Sequence, residues 1–127
     1  MKQWRKYWIA SVIILLLISV GLWALPTTPC NGLGWSANTE LDLAGYKVYW
    51  RTDPTVAYTN ANSYDAKKVT NILFDTAIPA VGTSLRSTKH YFVVTAYDSQ
   101  VVPNESGFSN EVSCKRPPSA PSGLGIQ

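Results

Sequence analysis

Two separated segments of this chain alternate apolar and polar side chains with a period of two, and no other feature constrains the fold as strongly. The segments are residues 45–51 and residues 90–98. Successive side chains of a β-strand point to opposite faces, so the pattern predicts strands with one buried face. Trp35 lies on a third, shorter segment of this kind, beside Leu33. The predicted core residues are Trp35, Tyr46, Val48, Trp50, Phe92, Val94 and Ala96.

The rest of the sequence after residue 35 is predicted to form connections and weaker strands. Residues 36–44 are polar and predict a loop, and residues 52–62 predict a connection with a short edge strand near residues 56–58. Residues 64–80 have apolar content without a consistent phase, and we expect one strand there. Phe108, Asn110 and Val112 are expected to share a face of the last strand. Since no stretch shows helical periodicity, the domain is predicted to be all-β.

The N-terminal residues 1–25 have the pattern of a targeting segment. Lys2, Arg5 and Lys6 precede an uncharged apolar run over residues 9–25. The run is long for a signal peptide and short for a spanning helix, so a cleaved signal and a retained transmembrane anchor both stay open. In either case the rest of the chain is exported to the periplasm, cell envelope or exterior. A retained leader would contact the membrane through residues 9–25.

The charge distribution argues against a nucleic-acid partner. The formal net charge of +3 equals the three cations of the leader, so the exported part is neutral. A phosphate backbone therefore meets no basic stripe.

The chain contains two cysteines, Cys30 and Cys114, and both lie in the exported part. Disulfides persist in such a compartment, so an intramolecular bond is expected, worth about 4 kcal/mol through loop closure. The alternative is two unpaired thiols, one of them used between chains. We place a short linker at residues 26–32, the domain at residues 33–114 and a linker-like tail rich in Pro, Ser and Gly at residues 115–127.

Three segments in order carry a family resemblance: L-G-W-S-A-N-T-E-L-D-L-A-G-Y-K-V-Y-W from residue 33, Y-F-V-V-T-A-Y-D from residue 91, and N-E-S-G-F-S-N-E-V-S from residue 104. They resemble strands B, C, F and G of bacterial fibronectin type III domains. The resemblance implies an immunoglobulin-like two-sheet β-sandwich, preceded here by the N-terminal hydrophobic helix. Trp35 would be the core tryptophan of strand B. His90 falls where the family places its corner tyrosine, which implies a structural role.

The resemblance also implies an open sheet edge. About nine residues separate the apolar run from Trp35, so strand A is expected to be short or absent. Residues 118–126 resemble the linker and first strand of a following domain. We therefore expect residues 120–127 to pair with the open edge of their own chain or of a neighbouring copy, the alternative being a disordered tail.

Site chemistry is sparse. His90 is the only histidine and no phosphate-binding loop is present, so the sequence predicts neither an enzyme nor a cofactor. Two loops expected at one end of the fold supply a weak calcium candidate, although such residues commonly serve solubility. Its members are Glu40, Asp42, Asp98, Asn104 and Glu105.

Tyr49, Tyr91 and Tyr97 are expected to point away from the core. They could form a contact patch for glycan or protein, or equally a structural aromatic cluster. The function predicted is a non-catalytic interaction or spacer module of the cell envelope with an unidentified protein or glycan partner. The alternative is a polysaccharide-binding module that acts beside a secreted hydrolase.

Overall fold

The computed structural model describes residues 29–126. The predicted signal or anchor helix at residues 1–25 lies outside the described residues. Among residues 29–126, no helix has the length and apolar character needed to cross a membrane.

Two antiparallel sheets form the domain. The strands in chain order are β1 (Gly32–Gly34), β2 (Leu43–Arg51), β3 (Ser63–Lys67), β4 (Asn71–Leu73), β5 (His90–Asp98) and β6 (Val112–Cys114). One sheet has the order β3-β2-β5-β6 and the other pairs β1 with β4. The long strands β2 and β5 are the two segments with the clearest alternation, and their register places Val48 opposite Val94 and Trp50 opposite Phe92.

The core lies between the two sheets. Tyr46, Val48 and Phe92 from the four-stranded sheet are buried together with Ile72 from β4. Trp35, Trp50, Val94 and Ala96 are half-buried and pack against this cluster. The chain is thus built as a β-sandwich in which the phase of β2 and β5, taken from the sequence, places the same side chains inward.

The domain is mostly strand, but residues 64–80 do not form the one strand expected there: they include parts of β3 and β4 and the start of a helical connection to β5. Residues 74–84 form two short helices, α1 (Phe74–Ala77) and α2 (Pro79–Ser84), instead of continuing a strand. Phe74, Ile78, Val81 and Leu85 are all buried, and their spacing is the i, i+4, i+7, i+11 pattern of a helical stripe. Pro79 occupies the first turn of α2, where its missing N–H is not needed. Each of the two helices is too short to show the helical period by itself, so the pattern is visible only over both helices together.

Two predicted strands are wrong in position. No strand forms at residues 56–58, which lie in an irregular connection that ends in a 3₁₀ turn (Asn60–Asn62). The last strand covers only Val112–Cys114. Phe108 does not share a strand face with Val112 because residues 106–111 have no strand conformation.

Two serines form hydrogen bonds with the backbone groups at the edge of β5, where the sequence predicts the last strand. The N–H of Ser109 donates to the carbonyl of Val94 at 2.9 Å, and the N–H of Val94 donates to the Ser109 hydroxyl at 3.0 Å. Ser106 and Ala96 repeat the arrangement at 2.8 and 2.9 Å. Each serine hydroxyl replaces the backbone carbonyl of a regular ladder, so residues 104–111 follow β5 without being a strand.

The domain extends past Cys114. Arg116 is 7% exposed, and its N–H donates to the carbonyl of Leu85 at 2.8 Å. The predicted linker at residues 115–127 therefore begins after Arg116. The predicted linker at residues 26–32 likewise ends before Cys30, which is buried in the core.

Candidate functional site

A groove of about 540 Å³ opens beside β1, and we call it the β1 groove. One wall is formed by β1 and the residues after it, and the other by residues 106–112. Its floor includes Phe92 and Val94 of the core. Every lining side chain is uncharged, and they comprise Leu33, Gly34, Trp35, Ser36, Asn38, Tyr46, Phe92, Val93, Val94, Thr95, Ala96, Ser106, Gly107, Phe108, Ser109, Asn110 and Val112.

One edge of β1 faces β4, and the backbone groups on its other edge have no strand partner among residues 29–126. The Trp35 N–H donates to the carbonyl of Thr70, and the Phe74 N–H donates to that of Asn31, each at 2.9 Å. Backbone direction alternates along a strand, so the odd-numbered residues of β1 face β4 and the groups of Gly32 and Gly34 face the other way. Within residues 29–126, β1 pairs with β4 alone. No strand of the described part of the chain takes up these outward groups, which are suited to pair with a further strand.

Trp35 adds an unpaired donor to the same place. Its ring packs edge-on against Tyr46 with centroids 5.6 Å apart. The indole Nε1 is buried and has no hydrogen-bond partner among the described residues. A buried N–H without an acceptor destabilises the fold by roughly 1 to 3 kcal/mol. The β1 groove therefore presents apolar surface, strand-edge backbone groups and an orphan donor, the combination that an extended peptide satisfies.

The outer face of the four-stranded sheet differs completely, because residues 104–111 fold over it. Glu105 accepts hydrogen bonds from the Tyr49 hydroxyl at 2.5 Å, the Thr95 hydroxyl at 2.6 Å and Lys47 Nζ at 3.1 Å. We call Lys47, Tyr49, Thr95 and Glu105 the outer-face cluster. Phe108 closes it from above, with its ring 5.6 Å from that of Tyr49.

These contacts hold Glu105 ionised. Burial disfavours its charge, but the hydrogen bonds from Thr95, Tyr49 and Lys47 outweigh burial and keep the pKa of Glu105 below its ordinary value. Burial and the bond to Glu105 raise the pKa of Tyr49, so its hydroxyl stays protonated and remains a donor. The cluster is a satisfied polar network that fixes residues 104–111 on the sheet.

A second set of contacts covers the neighbouring part of this face. Tyr58 donates to Glu111 at 2.6 Å, and the Arg51 guanidinium lies 4.4 Å from the centroid of the Tyr58 ring. Arg51 also pairs with Glu111 at 2.5 Å. Burial, together with the bond to Glu111, raises the pKa of Tyr58 to about 12. The long connections before β3 and after β5 are thereby bound to each other across the sheet.

The three tyrosines proposed from the sequence do not form one exposed patch, which corrects that expectation. Tyr49 is 5% exposed because Phe108 and Glu105 cover it. Tyr97 lies opposite Gly45 and donates to Asp65 at 2.8 Å. Tyr91 is half-buried, with Lys89 Nζ 5.2 Å from its ring centroid. Tyr91 and Tyr97 are six residues apart on one strand, about 20 Å, too far to hold one sugar ring together.

The five residues of the calcium candidate line one cleft of about 260 Å³, but in the part of the chain that the structure describes they are not arranged as a metal site. There, no group of three or more His, Cys, Asp or Glu side chains is arranged to hold a metal ion. Asp98 accepts from the backbone N–H and the side-chain amide of Asn104, at 2.9 and 2.7 Å. Glu105 is bound in the outer-face cluster, while Glu40 and Asp42 lie exposed before β2. The sequence indicates that these loops lie near each other but not that the carboxylates of Asp98 and Glu105 are engaged by other partners.

A disulfide joins Cys30 and Cys114, which are 84 positions apart in sequence and have Cα atoms 5.9 Å apart. It ties the start of β1 to the end of β6. Arg116 lies beside it and donates to the carbonyl of Cys30 at 2.8 Å, to that of Gly82 at 3.1 Å and to Asp75 at 2.7 Å. The hydrogen bond from Arg116 lowers the pKa of Asp75. The last residues of the domain are therefore fixed covalently and by a buried guanidinium that sequence patterns did not reveal.

His90 is enclosed in the domain, at 3% exposure. Its Nε2 lies 3.1 Å from the Ser84 hydroxyl and its Nδ1 lies 3.1 Å from the carbonyl of Thr88. The ring stacks on Phe92. These contacts give His90 the structural role implied by its position at the start of β5.

Comparison with known proteins gives no relative for this chain. No protein-family model, curated protein or solved structure matches it. The function must therefore be argued from the geometry of the chain itself.

Proposed function

We propose that this chain is a non-catalytic interaction or spacer module of the cell envelope, built on a fibronectin type III-like domain. The pairing order supports the family proposal. The segments that resemble strands C, F and G coincide with or overlap β2, β5 and β6, which are neighbours in one sheet, as in immunoglobulin-like sandwiches. The segment that resembles strand B contains β1, which lies in the other sheet. On this assignment, β4 corresponds to strand E and strand A is missing from the described residues.

The β1 groove is the observation that carries the functional proposal. An uncharged groove beside unpaired strand-edge groups is suited to binding a chain segment and has no group positioned for chemistry on it. The Cys30–Cys114 disulfide supports export, because such bonds persist outside the reducing cytoplasm. The neutral charge of the exported part suits contact with protein and not with a polyanion.

The polysaccharide-binding alternative receives less support. The three tyrosines are its candidate contact surface, and Tyr49 lies under Phe108. The remaining two tyrosines of that set are separated along β5 and engaged with Lys89 and Asp65.

Cell fractionation of the tagged full chain tests the proposal. We expect the chain in the envelope or exported fraction, with both cysteines protected from alkylation until a reductant is added. A chain lacking residues 1–25 is the control and should stay in the cytoplasm. Recovery of the full chain in the cytoplasm with two reactive thiols would refute the proposal. Chemical cross-linking in intact cells, followed by mass spectrometry, then identifies the bound partners.

A further inference from the structure

We propose that residues 121–126 of one copy occupy the β1 groove of a second copy as its missing strand, so that the domains join head to tail. The inference names the partner of the interaction module proposed above and rests on that proposal for the shared compartment. It depends on four observations: the side-chain pattern of the tail, its charge, its direction and its reach.

The tail has the pattern of a strand without a sheet. Leu124 and Ile126 are fully exposed, at 101% and 106%. They alternate with Gly123 and Gly125, so an extended tail has one apolar face and one face without side chains. A Cβ added at either glycine would meet no described atom within 4 Å, and Gly123 has a φ of +75°. Glycine passes between this conformation and an extended one without steric cost.

The groove and the tail also agree in charge. No lining side chain of the β1 groove is charged, and residues 117–126 contain no charged side chain. Seating the tail therefore desolvates no ion. The pairing instead brings the apolar face of the tail toward Leu33, Trp35 and Val94, and supplies carbonyl acceptors near the orphan indole N–H of Trp35.

Every strand pair of the described domain is antiparallel, and for an antiparallel partner the chain direction distinguishes the chain's own groove from that of another copy. The disulfide places the start of β1 and the end of β6 at the same end of the domain, and the tail leaves from there. Arg116 and Ser119 hold the first tail residues at that end, through Leu85 and Arg86. A strand antiparallel to β1 must enter the groove from the opposite end. The tail of the same chain starts at the wrong end, whereas a copy stacked on the opposite end delivers its tail in the antiparallel direction.

The reach of the tail is sufficient for this arrangement. The seven residues after Ser119, through Ile126, span roughly 23 Å when extended. The free edge of β1 is three residues long, about 10 Å. The tail thus crosses the gap between two stacked domains and still covers the edge. Because the tail and the groove are different surfaces, each copy can both give and receive a strand, and the assembly is an open chain and not a closed pair.

Engineered cysteines in the full-length chain test the proposal in native membranes. Gly34→Cys places a thiol on the free edge, where a new Cβ meets its nearest atom at 3.9 Å, and Gly125→Cys places one in the tail, where no described atom lies within 4 Å. Membranes from cells that express the double variant are treated with a thiol oxidant and resolved on non-reducing gels. The matched control combines Gly125→Cys with Leu41→Cys, a fully exposed site outside the groove.

We expect a ladder of multimers from the double variant, at least about tenfold above the control because a seated tail has a high effective concentration. Adding Leu124→Ser and Ile126→Ser should abolish the ladder. A cross-linked monomer would show that the tail occupies its own groove, and dimers without higher species would show a two-fold contact. Either result, or a yield equal to the control, overturns the proposal. The same membranes report localisation, so a chain that reaches the envelope with its native disulfide but gives no ladder refutes only the strand donation.

Discussion

On the outer face of the four-stranded sheet, two long connections fold over the strands and reduce the exposure of Tyr49 to 5%. On the other sheet, none of the strands within residues 29–126 covers the second edge of β1, which lies beside a groove that reaches the core. The connections thus cover the outer face and the β5 edge of the four-stranded sheet, where Ser106 and Ser109 bind the backbone groups of β5. Among residues 29–126, nothing comparable lies along the free edge of β1, whose backbone groups a further strand can pair with. Variants in both regions test this difference.

The largest expected effect comes from removing the bond that attaches the uncovered strand. Replacing both cysteines, Cys30→Ser with Cys114→Ser, should lower the free energy of unfolding by about 4 kcal/mol, since two positions 84 residues apart are no longer linked in the unfolded chain. Denaturant titration followed by tryptophan fluorescence measures the change. A loss below about 1 kcal/mol would show that the sheets hold β1 without the bridge.

Arg116 provides the non-covalent attachment at the same end. Arg116→Met should cost about 3 kcal/mol, because the carbonyls of Cys30 and Gly82 lose their buried donor. Lys115→Met, at an exposed neighbour, is the control and should change stability by less than about 0.5 kcal/mol. Equal effects of the two variants in denaturant titration would contradict the role assigned to the guanidinium.

The covered face should respond to Glu105. Glu105→Ala removes three hydrogen bonds and should cost about 2 kcal/mol, again read from denaturant midpoints. Glu111→Ala is a useful comparison because it disturbs Arg51 and Tyr58 but leaves the outer-face cluster intact. If Glu105→Ala left stability unchanged, the cover of this face would depend on Phe108 alone.

The same residue predicts an acid dependence. The pKa of Glu105 is lower in the folded chain than its ordinary value of 4.5, so the folded chain binds fewer protons than the unfolded chain in that range. Its contribution is present above pH 4.5 and is lost as the pH falls through the folded-state pKa. We therefore expect the midpoint temperature of unfolding to fall less between pH 7 and pH 3 for Glu105→Gln than for the unchanged chain. Thermal melts over this pH range measure the difference.

The smallest expected change in stability comes from deleting the tail that we propose as the partner of the β1 edge. Deleting residues 120–127 should change the stability of the isolated chain by less than about 0.5 kcal/mol, because residues 120–126 are exposed. A large loss in dilute samples would mean that the tail fills its own groove. Scanning calorimetry of the two chains at low concentration makes the comparison.

The sequence predicts the fold correctly where buried side chains alternate with a period of two. The alternation in β2 and β5 places Tyr46, Val48 and Phe92 inward without further information. The sequence-based prediction is wrong for residues 74–84, which form two short helices. The buried side chains there have helical spacing, but they are divided between the two helices and the residues beside them: Phe74, Ile78, Val81 and Leu85. The prediction is also wrong for residues 104–111, since Ser106 and Ser109 pair with β5 through hydroxyl groups.

For the candidate site, the sequence indicated an open edge but not its surroundings. The short stretch before Trp35 leaves little room for a first strand, which predicts the free side of β1. It contains no signal for Glu105 turning toward Lys47 and Tyr49, and so the calcium candidate and the tyrosine patch each include a side chain that is engaged in the outer-face cluster. Contacts between residues more than fifty positions apart depend on tertiary packing, which local patterns do not report.

The disulfide has a mechanical consequence. Tension applied between residue 29 and residue 117 passes from Cys30 to Cys114 across 5.9 Å of covalently linked chain, so the residues between the two cysteines carry almost none of the load. Such a domain does not lengthen when its ends are pulled. The domain therefore resists extension between residues 29 and 117 for as long as the bridge stays oxidised.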